Sequence, residues 1–324
     1  MRTPSQLALS PLLSLSLLLL SGCKTATIQD PEQPEPAGES SARDEAGEAP
    51  APAPEGPALW VAKDADTTVY LFGTVHVLKP DLQWRTPAID AAFDEASVVY
   101  FEADVTSIRA QARMVALMPE LGTFDDGRTL SSVLSPEQLD SVRVSVEQVG
   151  LAMAMVEPMR PWLVGMTLQS AALMASGYDP QSGVEIVLGK QAEAERKELR
   201  YLETAEQQLR IFAGLPEPDQ INFLVDTARA QQEEPEALDE LIEQWASGDT
   251  EGLLASTAED DAMGSKAVTE ALLDERNADW SAQLQQLMAD EAGVFFVAVG
   301  AAHLVGPTGV PSLLRAAGVE VSGP

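Results

Sequence analysis

Apolar and polar positions change period several times along the chain, and the changes mark its elements. Residues 58–63 and 68–72 are two short apolar runs around Asp64-Ala65-Asp66, which predicts a hairpin. Residues 88–96 carry Ile89, Ala92 and Phe93 at helical spacing, and Ser97-Val98-Val99-Tyr100-Phe101 reads as the next strand. The far end repeats the plan, with a strand over 294–299, a helix over 310–317 and a last strand over 319–321. Strand-helix-strand connections favour parallel strands joined by a right-handed crossover. Between the two ends the periodicity is mostly helical. Ser135-Pro136-Glu137-Gln138 has the form of a capping box with Pro at the first helical position, and Leu139, Val142 and Val146 follow as an apolar stripe. Residues 162–176 and 183–197 read as helices, Arg200-Tyr201-Leu202 as a short strand, and Glu203 as the start of the next helix. The predicted fold class is α/β: two related strand-helix-strand halves forming a central sheet region, with a mostly helical middle segment.

The first 57 residues have a different texture. Arg2 precedes an apolar run from Leu7 to Leu20, too short for a transmembrane helix and of the length of a secretory leader. The run closes on Leu20-Ser21-Gly22-Cys23, which resembles the bacterial lipobox. On that reading residues 1–22 are a lipoprotein signal peptide and Cys23 carries a lipid. Cys23 is the single cysteine, so no intramolecular disulfide forms. Lys24 rather than an aspartate follows it, which fits sorting to the outer membrane of a host with two membranes. Residues 23–57, rich in Pro, Glu and Ala, bury too little to offset chain entropy and read as a disordered acidic tether. Residues 58–324 then form one α/β domain, held outside the cytoplasm by its anchor.

Charge narrows the partners. With 51 acidic against 20 basic residues the formal net charge is -31. Nucleic-acid binding needs clustered Lys and Arg and is set aside.

The candidate chemistry lies where the repeated strands end. The chain has two histidines, and both close the same short pattern, Gly73-Thr74-Val75-His76 and Gly300-Ala301-Ala302-His303. Glycine is read here as the residue that lets the chain turn at the strand end. The imidazole three residues later then projects over the sheet edge where α/β proteins bind ligands. Two imidazoles facing each other make half of a metal site. The third strand runs into Glu102-Ala103-Asp104, a place for working carboxylates. HExxH, GxSxG and GxxxxGK[ST] patterns are all absent, and no cysteine remains in the domain for thiol catalysis.

Together these residues resemble a known family. Tyr70-Leu71-Phe72-Gly73-Thr74-Val75-His76-Val77, the glutamate of Phe101-Glu102-Ala103-Asp104, and Ala298-Val299-Gly300-Ala301-Ala302-His303-Leu304-Val305-Gly306 are similar to the TraB/PrgY/GumN family, which includes the animal Tiki proteins. Gly183-Val184-Glu185 stands where the family often has Gly-Ile/Val-Asp. Leu202-Glu203-Thr204-Ala205-Glu206-Gln207-Gln208 and Glu275-Arg276-Asn277 match its middle and late motifs. The resemblance spans about residues 58 to 322. It implies a fold like that of the erythromycin-esterase and ChaN group. It also implies, from the Tiki members, metal-dependent proteolysis with manganese or cobalt. The PrgY type implies regulation of a peptide signal instead.

The chemistry of the residues agrees in outline. His76, Glu102 and His303 are the expected ligands of a divalent ion (Mn, Co or Zn), with open positions for water and substrate. Glu203 is a candidate general base, Arg276 a candidate oxyanion or carboxylate clamp, and Asn277 a hydrogen-bond donor beside it. The expected function is a lipid-anchored metal-dependent hydrolase acting on a peptide or protein. The alternatives are a non-catalytic surface protein that binds a peptide signal or a metal, and an esterase with histidine as base.

Overall fold

The computed structural model describes residues 56–233, 236–257 and 266–324. The expected signal peptide, Cys23 and nearly all of the tether lie outside them. A six-stranded mixed sheet forms the centre: β1 (Leu59–Lys63), β2 (Thr67–Thr74), β3 (Val98–Ala103), β4 (Glu198–Glu203), β5 (Gly293–Gly300) and β6 (Glu320–Ser322), in the order β4-β3-β5-β2-β1-β6. The strands β4, β3, β5 and β2 run parallel, and β1 pairs antiparallel with both β2 and β6. β5 lies in the middle of the sheet, and Phe295 to Gly300 are all buried. Burial on both faces explains why its sequence is continuously apolar rather than alternating.

The hairpin β1–β2 forms as expected. Asp64 Oδ1 accepts from the amides of Asp66 (3.2 Å) and Thr67 (2.8 Å), an Asx turn that fixes the reversal. Helix Pro87–Glu95 follows β2 and buries Ile89, Ala92 and Phe93, the three residues its spacing marks. Phe93 packs edge-on against Phe296 of β5, with ring centroids 5.3 Å apart. Helix Pro136–Gln148 is closed by the expected capping box of Ser135 and Gln138. The helical middle builds two further cores, one around Trp162, Phe212 and Phe223 and one around Val142, Val164 and Leu224.

The fold class is α/β as the sequence predicts, but the two halves interlock rather than stand side by side. β5 of the second half is inserted between β2 and β3 of the first. β6, the last strand of the second half, lies beyond β1 at the sheet edge. Glu203 also differs from expectation. It ends β4, and the next helix, Ala205–Gly214, begins after Thr204, which caps it with Gln207.

Candidate functional site

The register of two strands brings the GxxH motifs together. β2 and β5 are parallel neighbours, with Gly73 opposite Val299 and Thr74 opposite Gly300. Both histidines therefore leave the sheet at the same edge, the carboxyl end of parallel strands. The glycines serve this arrangement by a different route from the expected turn. Neither Gly73 nor Gly300 has a positive φ. Gly73 is instead a close-approach residue: a Cβ there would meet the Cα of Ala301 at 3.0 Å, in the partner motif. Trp245 donates its Nε1–H to the Gly73 carbonyl at 2.8 Å and pins the end of β2.

His76 is held by an element that sequence spacing did not connect to it. Its Nδ1 lies 2.5 Å from Oε1 of Glu185, in the first turn of helix Val184–Glu195. Thr74 donates its hydroxyl to the same carboxylate. The amide of Val184 donates to the Val75 carbonyl at 3.0 Å, which straps the helix start to the His76 loop. Gly183 is required there, because a Cβ would sit 2.0 Å from the His76 carbonyl oxygen. Burial alone pulls the His76 imidazole down, but the charge and hydrogen bond of Glu185 outweigh it and raise its pKa. For Glu185, burial is likewise outweighed by His76 and Thr74, and its carboxyl is held below the ordinary range. His76 Nε2 and Glu185 Oε2 are buried with no hydrogen-bond partner among the described residues.

His303 sits in a second, fully paired network. It is completely buried against Trp280, with ring centroids 4.4 Å apart. Its Nδ1 lies 2.6 Å from Asn277 Oδ1, and its Nε2 lies 3.0 Å from Arg276 Nη1. Asn277 Nδ2 donates to the Thr308 carbonyl at 3.0 Å, which fixes the orientation of that amide. Guanidinium N–H groups only donate, so Nε2 is the acceptor and Nδ1 carries the proton. Burial, reinforced by the charge of Arg276, lowers the His303 pKa to about 3. The imidazole is therefore neutral near pH 7, and its 3.9 Å approach to Glu102 Oε1 is not an ion pair.

Glu102 and Arg276 join the two networks. Glu102 Oε1 accepts from the Gly300 amide at 2.7 Å, and its Oε2 accepts from Arg276 Nη2 at 2.7 Å and Gln208 Nε2 at 3.0 Å. Burial pushes Glu102 up, but the charge of Arg276 above all, with His76 and the Gly300 amide, outweighs it and holds the carboxyl low. Glu203 takes Arg276 Nη2 at 2.5 Å and Gln208 Nε2 at 2.9 Å. Its pKa is raised by burial, with the charge of Glu102 adding to the effect against Arg276. Arg276 lies two residues after the end of a π-helical turn, Glu270–Asp274, and donates from Nη1 back to the Leu272 carbonyl. Such turns recur at functional sites.

The six residues singled out from the sequence thus lie at one sheet edge: His76, Glu102 and His303, with Glu203, Arg276 and Asn277. Glu185, Thr74 and Gln208 belong with them. Their signal in the sequence was their place inside the Gly183-Val184-Glu185, GxxH and Leu202-to-Gln208 motifs.

The donor set suits a divalent transition ion, and the unpartnered Nε2 of His76 is a free ligand atom backed by a carboxylate, as metal-bound histidines are. Glu102 Oε1 and His303 Nε2, 3.9 Å apart, fall within the roughly 4.2 Å that two ligands of one ion can span. Yet Arg276 takes the lone pair of His303 and one oxygen of Glu102, so a cationic group already stands between them. Among the described residues no three His, Cys, Asp or Glu side chains are gathered as a metal cage.

A cavity of about 340 Å3 opens beside His76, Glu102, Glu185 and Gln208. It lies between the β3–β4 margin of the sheet and helix Val184–Glu195.

The sequence profile of the TraB/PrgY/gumN family matches residues 58–323. The uncharacterised protein YbaP of Escherichia coli is 24% identical over 263 residues, covering 80% of this chain and 92% of its own. An uncharacterised protein of Treponema pallidum is 25% identical over 271 residues, covering 79% of this chain and 80% of its own. No solved structure is a significant match. The match covers the hairpin, both GxxH motifs and every residue of the buried cluster, and the chain belongs to the TraB/PrgY/gumN family.

Proposed function

We propose that this chain is a lipid-anchored, extracytoplasmic hydrolase of peptide bonds that works with a divalent ion, held by His76, Glu102 and His303, and is anchored through Cys23. One observation carries the reading: the buried Nε2 of His76, without a partner among the described residues and braced at Nδ1 by Glu185, at the wall of a cavity shared with Glu102. A bound ion of this kind polarises a carbonyl and lowers the pKa of water toward neutrality. The protein's own part is to orient and to move protons. Glu185 fixes the His76 ring, Asn277 fixes that of His303, and Glu102 is kept ionised. Hydrolysis adds water across the C–N bond, with hydroxyl to the acyl carbon and a proton to the amine. Glu203, the carboxyl of the cluster whose pKa is raised, is the candidate to carry that proton. Arg276 must leave His303 for the third ligand to be free.

The position of Arg276 favours the second reading, a surface protein that binds a peptide without cleaving it. Incubating the purified full chain with a mixed peptide library and manganese, cobalt or zinc separates the two. Cleavage that is lost in His76→Ala and in His303→Ala supports the hydrolase. Metal uptake and folding without turnover of any peptide supports the binding protein.

A further inference from the structure

Ligand sites are concave and mostly apolar, with a few convergent polar groups. The cavity beside His76 is partly open to solvent, and much of its wall is apolar. Phe101 of β3 and Tyr201 of β4 are register partners, and Leu199 lies two residues before Tyr201 on the same face of the sheet. Opposite them, Ile186 and Gly189 of helix Val184–Glu195 stand one turn apart. The absence of a side chain at Gly189 leaves the space open: a Cβ there would meet only the Phe101 ring, at 3.9 Å. Polar groups interrupt the apolar wall: His76 Nε2 and Glu185 Oε2, which lack partners among the described residues, and the side chains of Thr106, Gln111, Gln181 and Gln208. Exposed Lys190 and Glu193 also line it. A volume of about 340 Å3 is at the small end for ligand sites, enough for one large side chain and its adjoining backbone.

We infer that this cavity is a side-chain pocket for a bulky apolar residue, aromatic or branched aliphatic, next to the peptide bond presented to His76 and Glu102. The inference rests on the peptide reading of the site. Apolar walls favour such a residue, and Glu102, Glu185 and Glu193 around the cavity disfavour an acidic one. Gly189 is then the residue that sets the size accepted.

Two measurements on the full chain, its Gly189→Leu variant and its Gly189→Ala variant test this. In the first, a peptide library with every position varied is digested and the cut sites are read by mass spectrometry. Phe, Leu, Ile or Tyr is expected beside the cut bond, with Asp and Glu depleted. The ratio of kcat/KM for Phe-containing over Ala-containing peptides is expected to fall roughly 10-fold or more in Gly189→Leu, the scale on which a filled apolar pocket discriminates, and less in Gly189→Ala. In the second, saturation-transfer NMR with N-acetyl-phenylalanine amide against N-acetyl-glycine amide needs no turnover. Contact with the phenylalanine probe is expected in the parent chain and lost in Gly189→Leu. Cleavage whose side-chain preference is the same in parent and Gly189→Leu overturns the pocket and leaves hydrolysis standing. Binding of the phenylalanine probe that depends on Gly189, with no peptide cut, supports the pocket and removes hydrolysis. A phenylalanine probe that binds no better than the glycine probe, or equally in parent and Gly189→Leu, also overturns the pocket. Circular dichroism confirms that both variants fold, as expected where leucine or alanine replaces glycine inside a helix.

Discussion

Arg276 donates through Nη1 to Nε2 of His303 at 3.0 Å, while its Nη2 reaches Glu102 at 2.7 Å. One guanidinium thus neutralises the carboxylate and occupies the lone pair of the imidazole that a metal ion would use. It also stacks 4.6 Å from the Trp280 ring, which fixes its plane. Arg276 is the internal counter-cation of the cluster, and metal binding at His303 competes with it.

Removing that counter-cation has two expected consequences. Arg276→Met leaves Glu102 and Glu203 buried without their guanidinium, which costs about 3–5 kcal/mol, read as a fall in the urea midpoint. The variant frees His303 Nε2 and leaves the cluster anionic. Zinc or manganese is therefore expected to raise its melting temperature more than that of the parent chain. An equal rise in both would show that Arg276 and the ion do not compete.

Asn277 acts on His303 through hydrogen bonding alone. Asn277→Leu leaves the Nδ1–H of His303 and the Thr308 carbonyl unpaired in a buried site, a loss of about 1–3 kcal/mol. Asn277→Asp is expected to favour the imidazolium and raise the His303 pKa, measured by NMR of the ring protons. An unchanged titration would contradict the proposed tautomer.

The two histidines are expected to respond oppositely to pH. The folded His76 pKa lies above the unfolded value of 6.5, so its stabilisation is complete below pH 6.5 and is lost as pH rises through the folded pKa. The folded His303 pKa, about 3, lies below 6.5, so its contribution is present above pH 6.5 and is lost as pH falls toward 3. With two histidines in the chain, ring-proton NMR resolves both, and His76→Gln assigns them. Relative to the parent, His76→Gln should lose more stability at pH 5.5 than at pH 8.5.

Gly183 tests the strap between helix Val184–Glu195 and the His76 loop. Gly183→Ala places a methyl group 2.0 Å from a backbone oxygen that cannot rotate away. A loss of about 1–3 kcal/mol or more is expected, together with a lowered His76 pKa as Glu185 is displaced. A stable variant with an unchanged His76 titration would show that the strap is not needed.

Much of the fold was legible because its signals are local. The hairpin, helix Pro87–Glu95 and the Ser135 cap each follow from a period or a capping pattern a few residues long. The insertion of β5 between β2 and β3 was not legible, because strand order depends on pairing between distant segments. The convergence of His76, Glu102 and His303 was legible through the repeated GxxH pattern. The bond from His76 to Glu185 was hidden, since it depends on how closely Gly183 lets one helix approach a loop. Glycine was misread for the same reason: at Gly73 the need is space against Ala301 rather than a turn.

The central claim is that the two imidazoles of the GxxH motifs serve one divalent ion, and metal analysis tests it most directly. The purified full chain is dialysed against manganese, cobalt or zinc beside the His76→Ala/His303→Ala double variant, and bound metal is measured by mass spectrometry. About one ion per parent chain and none in the folded double variant is the predicted result. A parent chain that takes up none of the three metals, or a double variant that holds as much as the parent, would contradict it.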